Sequence, residues 1–159
     1  MIARLRGRLA GTAGSGVIID VNGVGYLVHA TPSVLRLGPG EVTVQVHTVV
    51  REDALQLYGF AAAEERELFE LLLGVNGVGP KVALSIISGS TPAELRRAIA
   101  KDDVKRFQAI PGIGLKTAQR VVRQHPWHVA LRRPPLPWTI PYPHAAVPGS
   151  MPRTFTATR

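Results

Sequence analysis

Two stretches of this 159-residue chain repeat one another. Val75-Asn76-Gly77-Val78-Gly79-Pro80-Lys81-Val82-Ala83 aligns with Ile110-Pro111-Gly112-Ile113-Gly114-Leu115-Lys116-Thr117-Ala118 at a constant offset of 35 residues. The register extends outward to Ile86/Val121 and Ile87/Val122, and back to Leu72/Phe107. Placed between two helices, such a stretch can bind anions. A helix N-terminus leaves backbone N–H groups without intrahelical partners, and the dipole makes that end attractive to negative charge. Glycines just before the helix permit a tight turn and let a phosphate reach the backbone with no Cβ in the way. A lysine two residues after the second glycine adds a mobile positive charge, and the apolar residue between the glycines can anchor the hairpin in a core. Such a site grips phosphate oxygens and carries no base information. One copy alone reads equally well as a turn between packed helices. Two copies in register, each followed by lysine, favour the phosphate reading.

Other glycine-rich chemistries fail on spacing. A P-loop needs Gly-Lys-Ser/Thr contiguous, whereas Leu115 separates Gly114 from Lys116. A dinucleotide fingerprint needs a third glycine where Val82 and Thr117 stand. The chain has no cysteine, which removes disulfides, thiolate zinc sites, iron–sulfur clusters and cysteine nucleophiles. His29 and His47 fall in strand-like segments and read as packed or surface residues, while His125 and His128 flank Pro126. No catalytic residue, metal site or cofactor is expected.

The elements that must hold the repeat follow from the pattern of apolar residues. Residues 1–62 read as short strands. Val17-Ile18-Ile19-Asp20-Val21 and Val24-Gly25-Tyr26-Leu27-Val28 flank Asn22-Gly23, a strong hairpin signal because both turn residues need positive φ. Val42, Val44, Val46, Thr48 and Val50 alternate with Thr43, Gln45, His47 and Val49, a half-buried strand. About five strands with Gly-rich punctuation predict a small OB-like β-barrel. Residues 63–122 change to helical period. Glu64-Glu65-Arg66-Glu67 opens a helix with a Leu68, Leu71, Leu72 face, and Gly74 ends it. Pro80 starts a second helix and Gly89 closes it, Thr91-Pro92-Ala93-Glu94 has the capping-box pattern, Asp102 or Asp103 opens a fourth, and a fifth begins near Leu115. The expected fold is β then α: an N-terminal OB-like barrel followed by an all-α tandem of helical hairpins.

Charge is a weaker guide than the net +8 implies. Up to Val122 there are 14 Lys and Arg against 11 Asp and Glu; residues 123–159 add five Arg and no acid. That last stretch also holds 8 of the 13 prolines, with Trp127, Trp138 and Tyr142 among them, and no sustained period. Disorder is expected there. Arg96-Arg97 and Lys105-Arg106 read as solvated helix faces. The N-terminus carries charge with no apolar region behind it, so neither signal peptide nor membrane span is expected, and the reading is cytoplasmic.

The two Gly-x-Gly hairpins resemble the helix-hairpin-helix motif of DNA-binding proteins. Met1-Ile2-Ala3-Arg4-Leu5-Arg6-Gly7, Arg51-Glu52-Asp53-Ala54-Leu55-Gln56-Leu57-Tyr58-Gly59-Phe60 and Asn76-Gly77-Val78-Gly79-Pro80-Lys81 narrow the match. Over residues 1–122 the chain resembles the RuvA family of Holliday-junction recognition subunits. The resemblance implies a non-catalytic, structure-specific binder of four-way DNA junctions, built as a homotetramer or double tetramer on its barrels. It implies a RuvB-type ATPase that drives branch migration in recombination and repair, and a RuvC-type resolvase, as partners. Carried over by position, Gly77, Gly79 and Lys81 contact one stretch of backbone, and Gly112, Gly114, Lys116, Thr117 and Arg120 another. Glu52 and Asp53 match the family's acidic pin at a hairpin tip, where carboxylates would repel the phosphates of a collapsing crossover. Without the resemblance, Glu52-Asp53 reads more plainly as a solvated turn.

The resemblance stops at Val122. The family continues its last helix and adds a small third domain that docks onto the ATPase. Here Arg123-Gln124-His125-Pro126 breaks the pattern. An out-of-frame or truncated reading frame is the expectation, which puts motor docking in doubt. Two rivals stand beside the junction reading. A helix-hairpin-helix glycosylase/lyase would use a lysine such as Lys116 as Schiff-base nucleophile; it also wants a downstream carboxylate, and no Asp or Glu follows Asp103. A general DNA-binding module without junction preference shares the phosphate grip.

Overall fold

Asn22 and Gly23 take φ of 52° and 88°, the left-handed pair that a two-residue hairpin requires. The Asp20 carboxylate secures the turn by accepting from the Gly23 amide at 3.0 Å. The turn joins β2 (Gly16–Val21) to β3 (Val24–Ala30), with Val21 opposite Val24. The structure is a computed structural model and describes residues 1–123. With β1 (Arg4–Ala13), β4 (Glu41–Val50) and β5 (Leu55–Phe60), the strands close a barrel in the order β1-β2-β3-β5-β4. Only the β3–β5 pairing is parallel; β4 returns antiparallel to β1. This is the OB-like barrel that the strand pattern predicts.

The barrel interior is aliphatic: Leu5, Val17, Ile19, Val28, Val42, Val44, Val46 and Leu57 are buried in it. The expected alternation of β4 holds from Val42 to Val46. Beyond that point, Val49 on the opposite face packs against the helical module and Val50 is left 70 % exposed. Helices cover the outer face there, so the strand has protein on both sides. A single turn, α1 (Pro32–Leu35), plugs the barrel with Val34. The sequence reading did not anticipate it; four residues are too few for a period.

The helices begin where the acids and prolines indicate. α2 (Ala63–Leu73) has Glu64 and Glu65 in its first turn and buries Leu68, Phe69 and Leu72. Gly74 caps its C-terminus with an ordinary helical φ of −72°, so the glycine ends the helix without a left-handed turn. α3 (Pro80–Ser88) follows. α4 (Pro92–Ala100) opens with a full capping box: the Thr91 hydroxyl accepts from the Glu94 amide at 3.3 Å, and the Glu94 carboxylate accepts from the Thr91 amide at 2.9 Å. The Thr91 amide, then its hydroxyl, hold the Glu94 carboxyl below its ordinary pKa. Asp103 caps α5 (Val104–Gln108) by accepting from the Arg106 amide. α6 (Leu115–Arg123) runs one residue past the expected boundary.

Tyr58 and Phe60 of β5 meet Phe69 of α2 with ring centroids 5.1 and 5.0 Å apart. The barrel and the helical module therefore share a core. The expectations for residues 124–159 (disorder, an out-of-frame origin, His125 and His128, the tail aromatics) lie outside the described residues.

Candidate nucleic-acid interface

Each glycine hairpin is a four-residue turn closed by one hydrogen bond. The Val78 amide donates to the Val75 carbonyl at 3.0 Å, and the Ile113 amide to Ile110 at 3.1 Å. The third residue of each turn is Gly77, at φ 90°, or Gly112, at φ 88°. Positive φ at that position is the requirement of a type II turn, and Pro111 sits where such a turn accepts proline. Val78 and Ile113, between the glycines, are each only 6 % exposed and anchor the turns in the helical core.

The second glycine of each copy has a different job. Gly79 is the N-cap of α3, with φ −88° and ψ 172°, a conformation open to any residue. Its carbonyl accepts from Ala83 at 2.9 Å; the Gly114 carbonyl accepts from Ala118 at 2.9 Å. A Cβ at Gly79 or Gly114 would meet nothing within 4 Å. Neither turn geometry nor packing therefore demands glycine there, and the helix-start amides that follow have no intrahelical partner. Those amides are Lys81 and Val82 in the first copy, because Pro80 has no N–H. In the second they are Leu115, Lys116 and Thr117. Lys81 and Lys116 are exposed and form no ion pair among the described residues.

The two copies lean on each other through equivalent positions. The Cβ direction of Gly77 points to Thr117 Oγ1 at 3.5 Å and Arg120 Nη1 at 3.7 Å; that of Gly112 points to Val82 Cγ2 at 3.7 Å. Val82 is the 35-residue counterpart of Thr117, so the arrangement is approximately two-fold. Arg120 Nη1 also donates to the Asn76 carbonyl at 3.3 Å. Thr117 and Arg120, grouped with the second copy in sequence, thus stand beside the turn of the first. Arg123 was missed by the sequence reading. It lines one cleft with Lys116, Gln119 and Arg120, and pairs with Asp102 at 3.3 Å. The spacing 116, 120, 123 places these cations on one helical face, a signal that a helix ending at Val122 leaves out.

Glu52 and Asp53 sit exposed at the tip of the β4–β5 hairpin, which the Arg51 amide closes onto the Ala54 carbonyl at 2.8 Å. Below the tip the cross-strand pair Val50 and Leu55 is also exposed. His29 lies tilted against Tyr58, with ring centroids 5.4 Å apart, and His47 pairs with Glu70 at 3.1 Å. Arg106 is held by Glu94 and Ser90, and Arg96 lies near Glu64, so these two cations are partly committed to protein contacts. Among the described residues no group of three His, Cys, Asp or Glu is placed to hold a metal ion, and no helix is long and apolar enough to cross a membrane.

Comparison with known proteins finds a match in each half. Residues 1–59 match the family model described as the RuvA N terminal domain, and residues 69–124 the SAM-like helix-hairpin-helix tandem. The chain is 50 % identical over 125 residues to the Holliday junction branch migration complex subunit RuvA of Citrifermentans bemidjiense, covering 77 % of this chain and 63 % of that protein. The subunit of the same description from Rubrobacter xylanophilus is 49 % identical over 125 residues, with 77 % and 64 % covered. The chain thus spans just under two thirds of the length of these relatives.

Proposed function

We propose that over its matched residues the chain is a RuvA-family member that binds four-way DNA junctions by their backbones and holds them open. The observation that carries the reading is the pair of matching hairpins, each offering free helix-start amides, an uncrowded glycine and a lysine with no ion pair among the described residues. Gly77, Gly79 and Lys81 take one stretch of backbone. Gly112, Gly114, Lys116, Thr117 and Arg120 take another. Because the amides and lysines meet phosphate oxygens only, binding follows DNA shape and not sequence.

Glu52 and Asp53 supply the discrimination. Their carboxylates stand at a hairpin tip with no cation paired to them among the described residues. Directed at a crossover, they repel phosphates that would otherwise fold over it. Four copies arranged on their barrels would bring four pins to one point. Exposed Val24, Leu27, Leu35 and Leu37 on the barrel and its α1 extension support self-association. The protein does no bond chemistry in this reading. A RuvB-type ATPase would supply the work, through a docking domain that the sequence after Val122 does not show, and a RuvC-type resolvase would cut the same junction, in the cytoplasm; the relatives' description as branch migration complex subunits supports the motor partner alone.

The test is binding to a synthetic four-way junction and to a linear duplex of the same arms, across a salt titration. A large junction preference, lost on Lys81→Ala with Lys116→Ala, is expected. Equal affinity for both would leave a general phosphate-gripping module.

A further inference from the structure

Helix α2 carries the whole helical module away from the barrel, so whatever fixes α2 fixes the hairpins relative to the pin. The aromatic seam of Tyr58, Phe60 and Phe69 supplies adhesion, and ring pairs tolerate a range of offsets and tilts. Direction has to come from hydrogen bonds. At the far end of the joint, Glu70 meets His47 at 3.1 Å and Arg66 at 3.6 Å; Glu70 is 45 % exposed, where water screens such pairs. At the near end a single oxygen, Glu65 Oε2, lies 2.8 Å from Ser33 Oγ, 3.2 Å from Thr31 Oγ1 and 3.2 Å from the Ala61 amide.

Thr31 is 1 % exposed, a buried polar residue at the N-cap of α1. Its hydroxyl also lies 2.6 Å from that of Ser33. Two hydroxyl protons serve three contacts. Ser33 donates to the carboxylate at the shorter distance, Thr31 shares its proton between Ser33 and Glu65, and the Ala61 amide donates as well. A charged oxygen suits converging donors, and bonds to an ionised acceptor are the stronger class. Thr31 follows β3 and Ala61 follows β5. One carboxylate on the first turn of α2 therefore ties two strand exits together.

We propose that Glu65 is a positioning residue: it fixes the angle at which the glycine hairpins leave the barrel, so that preference for a junction over a duplex depends on it while the phosphate grip does not. The functional half of this proposal rests on the junction-binding reading above; the mechanical half does not. A duplex needs only the hairpins. A junction must meet pin and hairpins together, and a joint that is ordered only on binding weakens that complex.

The chain has no cysteine, so Thr43→Cys with Gln108→Cys gives one label on the barrel and one on the helices. Both positions are exposed and outside the proposed DNA-binding set. The distance distribution between the labels, measured without DNA, reads the joint directly. Glu65→Gln keeps the shape but replaces the charged acceptor with a neutral one, which binds the same donors more weakly. Ser33→Ala removes the shortest of the three bonds and leaves α2 untouched. In both variants, with folding verified by melting, the distribution is expected to broaden. Junction affinity should fall about five- to tenfold while duplex affinity holds within about twofold. An unchanged distribution, an equal loss on both substrates, or failure of both variants to fold would overturn the proposal in favour of a merely stabilising contact. If the unsubstituted protein shows no junction preference, the junction reading falls, and the distance measurement still decides whether Glu65 sets the joint.

Discussion

Gly79→Ala should separate binding from stability. The residue has φ −88° and ψ 172°, which alanine adopts without strain, and its Cβ would find nothing within 4 Å. Two small effects oppose each other. Alanine is a poorer N-cap than glycine by about 0.5–1 kcal/mol. It also narrows the unfolded ensemble, which stabilises by about 0.4–1 kcal/mol. The net change is close to zero, within about 2 °C in Tm. Binding responds differently, because the new methyl occupies the space through which a phosphate oxygen would reach the Lys81 and Val82 amides. Loss of one hydrogen bond to a charged acceptor costs about 1.5–3 kcal/mol, or roughly ten- to a hundredfold in Kd. The comparison is Gly77→Ala, where φ is 90° and alanine carries about 1–2 kcal/mol of backbone strain. Thermal melts of both variants, with anisotropy titrations on a labelled four-way junction at fixed salt, give the answer. If Gly79→Ala melts as early as Gly77→Ala, or binds the junction as the unsubstituted protein does, the division of labour between the two glycines is wrong.

Replacing Lys81 and Lys116 together by alanine should lower the slope of log K against log salt by roughly 2, one phosphate contact for each lysine; an unchanged slope would mean that neither neutralises a phosphate. Glu52→Gln with Asp53→Asn should tighten junction binding a few-fold at low salt, an effect that fades at high salt because exposed charges are screened. The same gain on a duplex would remove these residues from junction discrimination. Glu94 gives a pH signature. Its carboxyl is held below the ordinary value in the folded chain, chiefly by the Thr91 amide. It therefore contributes stability that is fully present above the ordinary glutamate range and is lost as pH falls through its depressed value. Glu94→Gln should flatten that part of the acid limb in melts taken from neutral pH downward; an unaltered limb would assign the acid sensitivity to other carboxylates.

The hairpin copies, the strand-to-helix change near residue 62 and most helix starts were legible in the sequence, because each rests on short-range chemistry. Asn22-Gly23 forces its own turn, the Thr91-to-Glu94 capping box needs only four residues, and Gly77 and Gly112 are the residue that a left-handed turn position favours. A 35-residue repeat is visible without knowing how its copies pack. Tertiary structure decided the rest. The parallel β3–β5 pairing closes the barrel across an intervening strand, and no local pattern specifies such a partner. Arg120 and Thr117 proved to stand beside the turn of the other copy, since helices bring together residues that sequence spacing keeps 40 or more apart. Glu65 read as one of several acids at a helix start, where the dipole alone accounts for it. Its role as the meeting point of three donors exists only once β3, β5 and α2 converge. Short-range rules fix what each segment becomes; which segments share an oxygen atom is settled by packing, and packing depends on the whole chain.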